Sequence, residues 1–193
     1  SNLAKIEQVS AMPEVKKGLL KTTEFIILHN RKASCGEVSI ENTHPIKITD
    51  KVYYVHNGSV DADLTKKYLT LIDGVKFNTK TDSEFLGWFV EKELSEGKKP
   101  IEVFNKLCKL CPYGFGVLVR IDLTNKELTI FKDTDRTLYL YNHSQSFLLI
   151  SEPIETIKQF EECYRLNSGV ITIGATVNLD LCRVTDITNK LNF

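Results

Sequence analysis

No stretch of the 193 residues is apolar for long enough to cross a bilayer as a helix. Low-complexity tracts, internal repeats and glycine-rich phosphate loops are also lacking. So is a prevailing charge: Lys and Arg number 25, as do Asp and Glu, for a formal net charge of zero. A neutral total exerts no general pull on nucleic acid or anionic lipid, so neither a nucleic-acid nor a membrane partner is expected. No signal peptide is visible, and the five cysteines leave at least one unpaired within a monomer. Both features suit reduced thiols and a cytoplasmic protein. Cys108-Lys109-Leu110-Cys111 has no second Cys-x-x-Cys to complement it, and no histidine pair follows at ligand spacing. Half a zinc site is not a site. No metal or cofactor is expected, and these thiols are read as small buried residues at a helix end.

What is present is a core-forming chain, 42% hydrophobic, of a length that suits one domain or one domain lacking a part. Its polar chemistry concentrates between His29 and Gly58. The apolar run Phe25-Ile26-Ile27-Leu28 reads as a buried strand ending in His29-Asn30-Arg31. Val52-Tyr53-Tyr54-Val55 reads as a second strand, ending in His56-Asn57-Gly58. An Asn-Gly after a strand is ordinarily a turn, because both residues tolerate positive φ.

Thr81-Asp82-Ser83-Glu84 opens an amphipathic helix with Phe85, Leu86, Phe89, Val90 and Leu94 on one face. Thr81 and Glu84 have capping-box spacing, and Asp82 falls in the first turn, where the helix dipole favours a carboxylate. Taken singly, each residue has a structural explanation. Together they offer the Arg31 guanidinium, the Asn57 amide beside the Gly58 N–H, and the Asp82 carboxylate. That set suits an amino acid: Arg grips a carboxylate, Asp takes an ammonium, and the Asn-Gly pair donates to a carbonyl oxygen.

Elsewhere, residues 61 to 73 pattern as a short helix, and Glu96-Gly97-Lys98-Lys99-Pro100 breaks the Asp82 helix. Another helix is expected from Ile101 to about Leu110. From Gly114 the period changes to strands: 115 to 122, 127 to 131, 137 to 141, 146 to 150, 169 to 174 and 181 to 184. A helix is expected from Ile154 to Phe160, and Asp133 to Arg136 reads as a charged turn without catalytic role. The pattern alone is α+β.

Five short motifs, in order, resemble the class II glutamine amidotransferases. The family's H-[TN]-R-x-A-[ST]-x-G is matched by His29-Asn30-Arg31-Lys32-Ala33-Ser34-Cys35-Gly36, and its N-[AT]-H-P by Asn42-Thr43-His44-Pro45. Its [VL]-H-N-G is Val55-His56-Asn57-Gly58, its [TV]-D-[ST]-E is Thr81-Asp82-Ser83-Glu84, and a late S-E-P is Ser151-Glu152-Pro153. The resemblance covers roughly residues 24 to 175. It implies the N-terminal nucleophile hydrolase fold, a four-layer αββα sandwich of two antiparallel sheets in one domain. It further implies that Arg31 binds the glutamine α-carboxylate and Asp82 the α-ammonium. By the same resemblance, Asn57 (side chain) and Gly58 (backbone N–H) are expected to form the oxyanion hole, and Ser34, Cys35 and His44 to line the glutamine pocket. Two departures fall on that lining: Lys32 stands where many members have an aromatic residue, and Cys35 where sugar-synthesising members have His.

The family's nucleophile is a cysteine at the mature N-terminus, whose own α-amino group acts as base. This sequence begins Ser1-Asn2-Leu3, so the domain is expected to be incomplete at its N-terminus. Loss of a central strand would expose ladder donors and apolar core, so a replacement for the missing segment is expected. Three readings follow. The first is a glutaminase domain that hydrolyses L-glutamine to glutamate and ammonia and passes ammonia to an acceptor domain or synthetase subunit. The second is an inactive amidotransferase-like protein with a structural, assembly or regulatory role, within a larger or viral complex. The third is another hydrolase of the superfold using Ser1 or Cys35.

Overall fold

A two-residue strand, β1 (Ile46–Lys47), leads into β2 (Val52–Asn57). β-Branched and aromatic residues favour the pleat, and burial alternates along β2: Val52, Tyr54 and His56 are buried, while Tyr53, Val55 and Asn57 are partly exposed. The computed structural model describes residues 27, 29, 39–61, 72, 74–79, 81–143, 146–153, 162–174 and 188–191. The chain divides into Ser1–Asn30 and Arg31–Phe193, and all the described strands and helices belong to the second unit.

β2 pairs antiparallel with β3 (Val117–Asp122), β3 with β4 (Glu127–Lys132), and β4 with β8 (Gly169–Gly174). The first sheet thus has the order β1-β2-β3-β4-β8. The second has the order β6-β5-β7-β9, from β5 (Tyr139–His143), β6 (Ser146–Ile150), β7 (Glu162–Leu166) and β9 (Thr188–Leu191), again antiparallel throughout.

Helix α1 (Asp82–Ser95) covers one face of the first sheet together with α2 (Pro100–Leu110). Phe85, Leu86 and Val90 of α1 and Val103 and Leu107 of α2 pack into one cluster with Tyr54, Leu118 and Phe131 of the sheet. Each such side chain contributes about 1.5–3 kcal/mol of burial free energy. Gly87 lets the helix approach closely: a Cβ there would lie 2.8 Å from Ile48 Cδ1 and 3.1 Å from Tyr54 Cδ2. The helix stops where the sequence breaks it, at Gly97 with φ +82°. Pro100 starts α2 at a position that needs no N–H, and Glu102 accepts the Lys99 N–H at 2.7 Å.

The opposite face of the first sheet is apolar and buried too, through Val117, Ile121, Leu128, Ile130, Ile171 and Ile173. In the second sheet Leu140 and Leu166 are buried on one face, while Tyr139, Tyr141 and Cys163 cluster with Leu148 and Ile150 on the other. Sheets buried on both faces are the inner layers of an α+β sandwich. Among the described residues no helix is long and apolar enough to cross a membrane.

The observed elements differ from the sequence expectation in several places. β2 runs two residues further, through His56 and Asn57. β1, β7 and β9 are additional strands, β1 two residues long and β7 carrying Glu162 and Arg165. Thr81 caps α1 through Glu84 N–H, but the reciprocal half of the capping box is replaced. The Glu84 carboxylate accepts Asn78 N–H at 2.9 Å and Thr79 N–H at 2.6 Å instead. Thr81 N–H bonds the Thr79 hydroxyl at 3.2 Å. The strands expected at residues 25–28 and 181–184, and the helices expected at 61–73 and 154–160, fall largely or wholly outside the described residues.

Candidate functional site

The tip of β2 and the N-terminus of α1 are fastened together. Beyond Gly58 the chain turns back so that Val60 donates its N–H to Asp82 Oδ2 at 2.8 Å. One turn of sequence earlier, His56 Nδ1 lies 3.0 Å from Ser83 Oγ and 3.9 Å from Asp82 Oδ1. His44 Nε2 reaches the same Ser83 hydroxyl at 3.0 Å. Two histidines therefore share one serine beside the Asp82 carboxylate.

Proton placement follows from the partners. His56 Nε2 is 2.7 Å from the Phe115 carbonyl oxygen, which only accepts, so Nε2 carries the hydrogen. The ring is buried, and that burial holds its pKa below the ordinary 6.5 despite the nearby Asp82 charge. In the neutral ring Nδ1 is then an acceptor for Ser83 O–H, which leaves the serine oxygen to accept from His44 Nε2–H. The Ser83–Asp82 Oδ1 separation of 3.3 Å is the longer contact.

Gly58 is sterically required. A Cβ at this position would lie 2.1 Å from the Phe115 carbonyl oxygen and 2.8 Å from His56 Nε2. Asn57 is half-buried, and its side-chain amide makes no hydrogen bond among the described residues. By the alternation of β2, Asn57 and His56 project from opposite faces of the strand. Asp82 is mostly buried, its side chain 13% exposed, and it sits in the first turn of α1, where the exposed N–H groups favour an anion.

Of the residues singled out in the sequence, Asn57, Gly58, Asp82 and His44 thus fall on one joined segment of structure. Arg31, Ser34 and Cys35 lie outside the described residues. His44 makes its hydrogen bond to the serine next to Asp82. Residue types alone do not single out Ser83, although it stands inside a quoted motif; what marks it is its hydrogen bond to His56, 27 residues away. Cys111 is buried as expected, with its thiol pushed up to about 12 by that burial. Cys108 is exposed, one position off the helix face that carries Leu107, and corrects the reading of both thiols as buried. An open hollow beside β1 is lined by Ile46, Lys47, Thr49, Asp50 and Asn78, and by none of Asn57, Gly58, Asp82 or His44.

No family model matches the chain. Individual proteins do. A glutamine–fructose-6-phosphate aminotransferase (isomerizing) of Brucella abortus is 36% identical over 74 residues, 38% of this chain and 12% of that protein. The enzyme of the same name from Buchnera aphidicola is 26% identical over 188 residues, 94% of this chain and 30% of that protein. The chain therefore spans less than a third of the length of these relatives. Among solved structures, the glutamine phosphoribosylpyrophosphate amidotransferase of B. subtilis superposes with a TM-score of 0.51 at 19% identity, over 78% of this chain and 34% of that one. A structure described as the allosteric regulatory enzyme of purine biosynthesis gives the same TM-score and identity over 79% of this chain. The structural likeness establishes a fold shared with these amidotransferases, and the sequence matches are to glutamine–fructose-6-phosphate aminotransferases.

Proposed function

We propose that this chain is the glutamine-binding part of an amidotransferase domain that hydrolyses L-glutamine to glutamate and ammonia, the ammonia passing to an acceptor domain or partner chain. Arg31 takes the α-carboxylate as a two-pronged ion pair, and Asp82 takes the α-ammonium. As the amide carbon becomes tetrahedral, its oxygen gains negative charge. The Asn57 amide and the Gly58 N–H donate to that oxygen, an arrangement worth about 10²–10³ in turnover per donor. Ser34, Cys35 and His44 line the side-chain channel. The family resemblance gives the attack to a cysteine thiolate at the head of the domain; the residues of this chain bind and polarise.

The observation that carries the reading is the fastening of Asp82 to the Asn57-Gly58 segment through Val60, His56 and Ser83. It joins Asp82 to the segment that bears Asn57 and Gly58, which supports a reading in which these groups serve one free amino acid. The test is calorimetric titration of the chain with L-glutamine. Binding at one site, abolished in Arg31→Ala, is the expected result; absence of heat from the unaltered chain defeats the reading.

A further inference from the structure

The Asn57-Gly58 pair does not stand alone. It rests against the turn Gly114-Phe115-Gly116, and the contact is between two backbones. A Cβ on Gly58 would meet Phe115 O at 2.1 Å, and a Cβ on Gly116 would meet Asn57 O at 2.2 Å and Gly58 Cα at 3.0 Å. Gly114 and Gly116 also have φ of +94° and +83°, a region that side chains rarely adopt. The position of the Gly58 peptide is therefore set by the position of the Phe115 peptide.

The Phe115 peptide is gripped from two sides. The β3–β4 register pairs Val117 with Lys132 and so brings Asp133 opposite Gly116. Their backbones bond, Asp133 N–H donating to Gly116 O at 3.0 Å. The Asp133 side chain is buried, and its Oδ2 accepts both the Phe115 N–H and the Gly116 N–H, the latter at 2.9 Å. Its Oδ1 accepts Asp135 N–H at 2.7 Å, so the carboxylate is itself held. From the other side His56 Nε2–H donates to Phe115 O at 2.7 Å. His56 in turn is oriented by Ser83, the neighbour of Asp82.

We propose that Asp133 and His56 are positioning residues for the oxyanion-binding pair: clamping the Phe115 peptide, they fix where the Gly58 N–H points. Neither residue touches substrate in this scheme. The inference rests on the glutamine reading above, because the Gly58 N–H has an oxygen to meet only if an amide is bound. It gives a buried carboxylate in the turn after β4 a task in the chemistry at the end of β2. A preorganised donor is effective because it needs no rearrangement as charge develops. A clamp on the peptide behind it supplies that rigidity.

The experiment compares L-glutamine with L-norleucine, which keeps the α-carboxylate and α-ammonium but has no amide. Binding of both to the full chain is followed by calorimetry and by backbone amide NMR. In the unaltered chain L-glutamine is expected to move the signals of Gly58, Phe115 and Gly116 together, and L-norleucine to leave these three in place. In Asp133→Asn, affinity for L-glutamine should fall about tenfold, the equivalent of one or two ordinary hydrogen bonds, with affinity for L-norleucine unchanged. His56→Gln, which keeps an N–H donor for Phe115 O, should retain more of the preference for glutamine than His56→Leu. The proposal is overturned if Asp133→Asn folds and discriminates the two amino acids as the unaltered chain does. It is overturned as well, with no variant needed, if Phe115 and Gly116 are silent when L-glutamine moves Gly58. A chain that binds neither amino acid fails the functional reading and this inference with it; binding of both without the coupled shifts fails this inference alone.

Discussion

Asp82 accepts the backbone N–H of Val60 at 2.8 Å while standing in the first turn of α1. One carboxylate therefore serves a loop, a helix end and, in the proposed function, a ligand ammonium. These roles separate on substitution. Asp82→Asn keeps an oxygen for Val60 N–H but loses the charge. Glutamine affinity should drop by about one to two orders of magnitude, the loss of a charge-assisted hydrogen bond. Folding stability should change by less than about 1 kcal/mol. Calorimetry and urea denaturation read the two effects independently.

Gly58→Ala should do the reverse of a conservative change. The added carbon must displace a backbone carbonyl rather than the end of a flexible side chain. A loss of about 1–3 kcal/mol in stability is expected, as for other overpacked sites, together with loss of glutamine binding. Near-native urea midpoint and affinity in this variant would refute the close backbone approach.

The buried His56 ring confers a pH dependence. Its folded pKa lies below the ordinary 6.5, because burial disfavours the charged form. Above about 6.5 both folded and unfolded chains hold it neutral, and its contribution is fully present. As pH falls below that value the unfolded chain takes up a proton that the folded ring resists, so stability declines until the depressed folded value is reached. Urea midpoints at pH 7.5 and 5.5 should differ more in the unaltered chain than in His56→Gln, and an equal difference in both would remove the assignment.

Glu84 is fully buried at the start of α1 and holds the N–H groups of Asn78 and Thr79. Glu84→Ala strands two donors in a site where water must enter to replace the carboxylate. About 2–4 kcal/mol of stability should be lost, from two unsatisfied groups. Glu84→Gln keeps one acceptor oxygen and should lose less, a ranking that denaturant titration measures directly.

Elements with a strong period were legible in the sequence. α1, α2 and the strands from Val117 to Ile150 appear close to where the apolar spacing puts them. β7 escaped notice for a physical reason: five residues with Glu162 and Arg165 among them carry little alternation. β1 is too short to carry any. At the site, the letters of the motifs pointed to Asn57, Gly58 and Asp82, whereas the connections among them are properties of the fold. Asp133 illustrates the difference. It reads as part of a charged turn, yet its carboxylate serves N–H groups 17 and 18 residues away, a meeting created by the β3–β4 register. Glu84 has the capping-box spacing to Thr81, but the preceding loop offers its carboxylate two better donors.

The order of the first sheet sets a schedule for its assembly. Strand β8 pairs with β4 only after the chain has passed through β5, β6 and β7 of the other sheet. A chain growing from a ribosome thus holds β4 with one side bare while three intervening strands emerge, and such an edge invites pairing with other chains. Closure of the first sheet waits on contacts some forty residues apart along the chain, which slows folding relative to a simple meander. The residues that back Gly58 lie in the hairpin that precedes this delay, so their local geometry can form before the sandwich is closed.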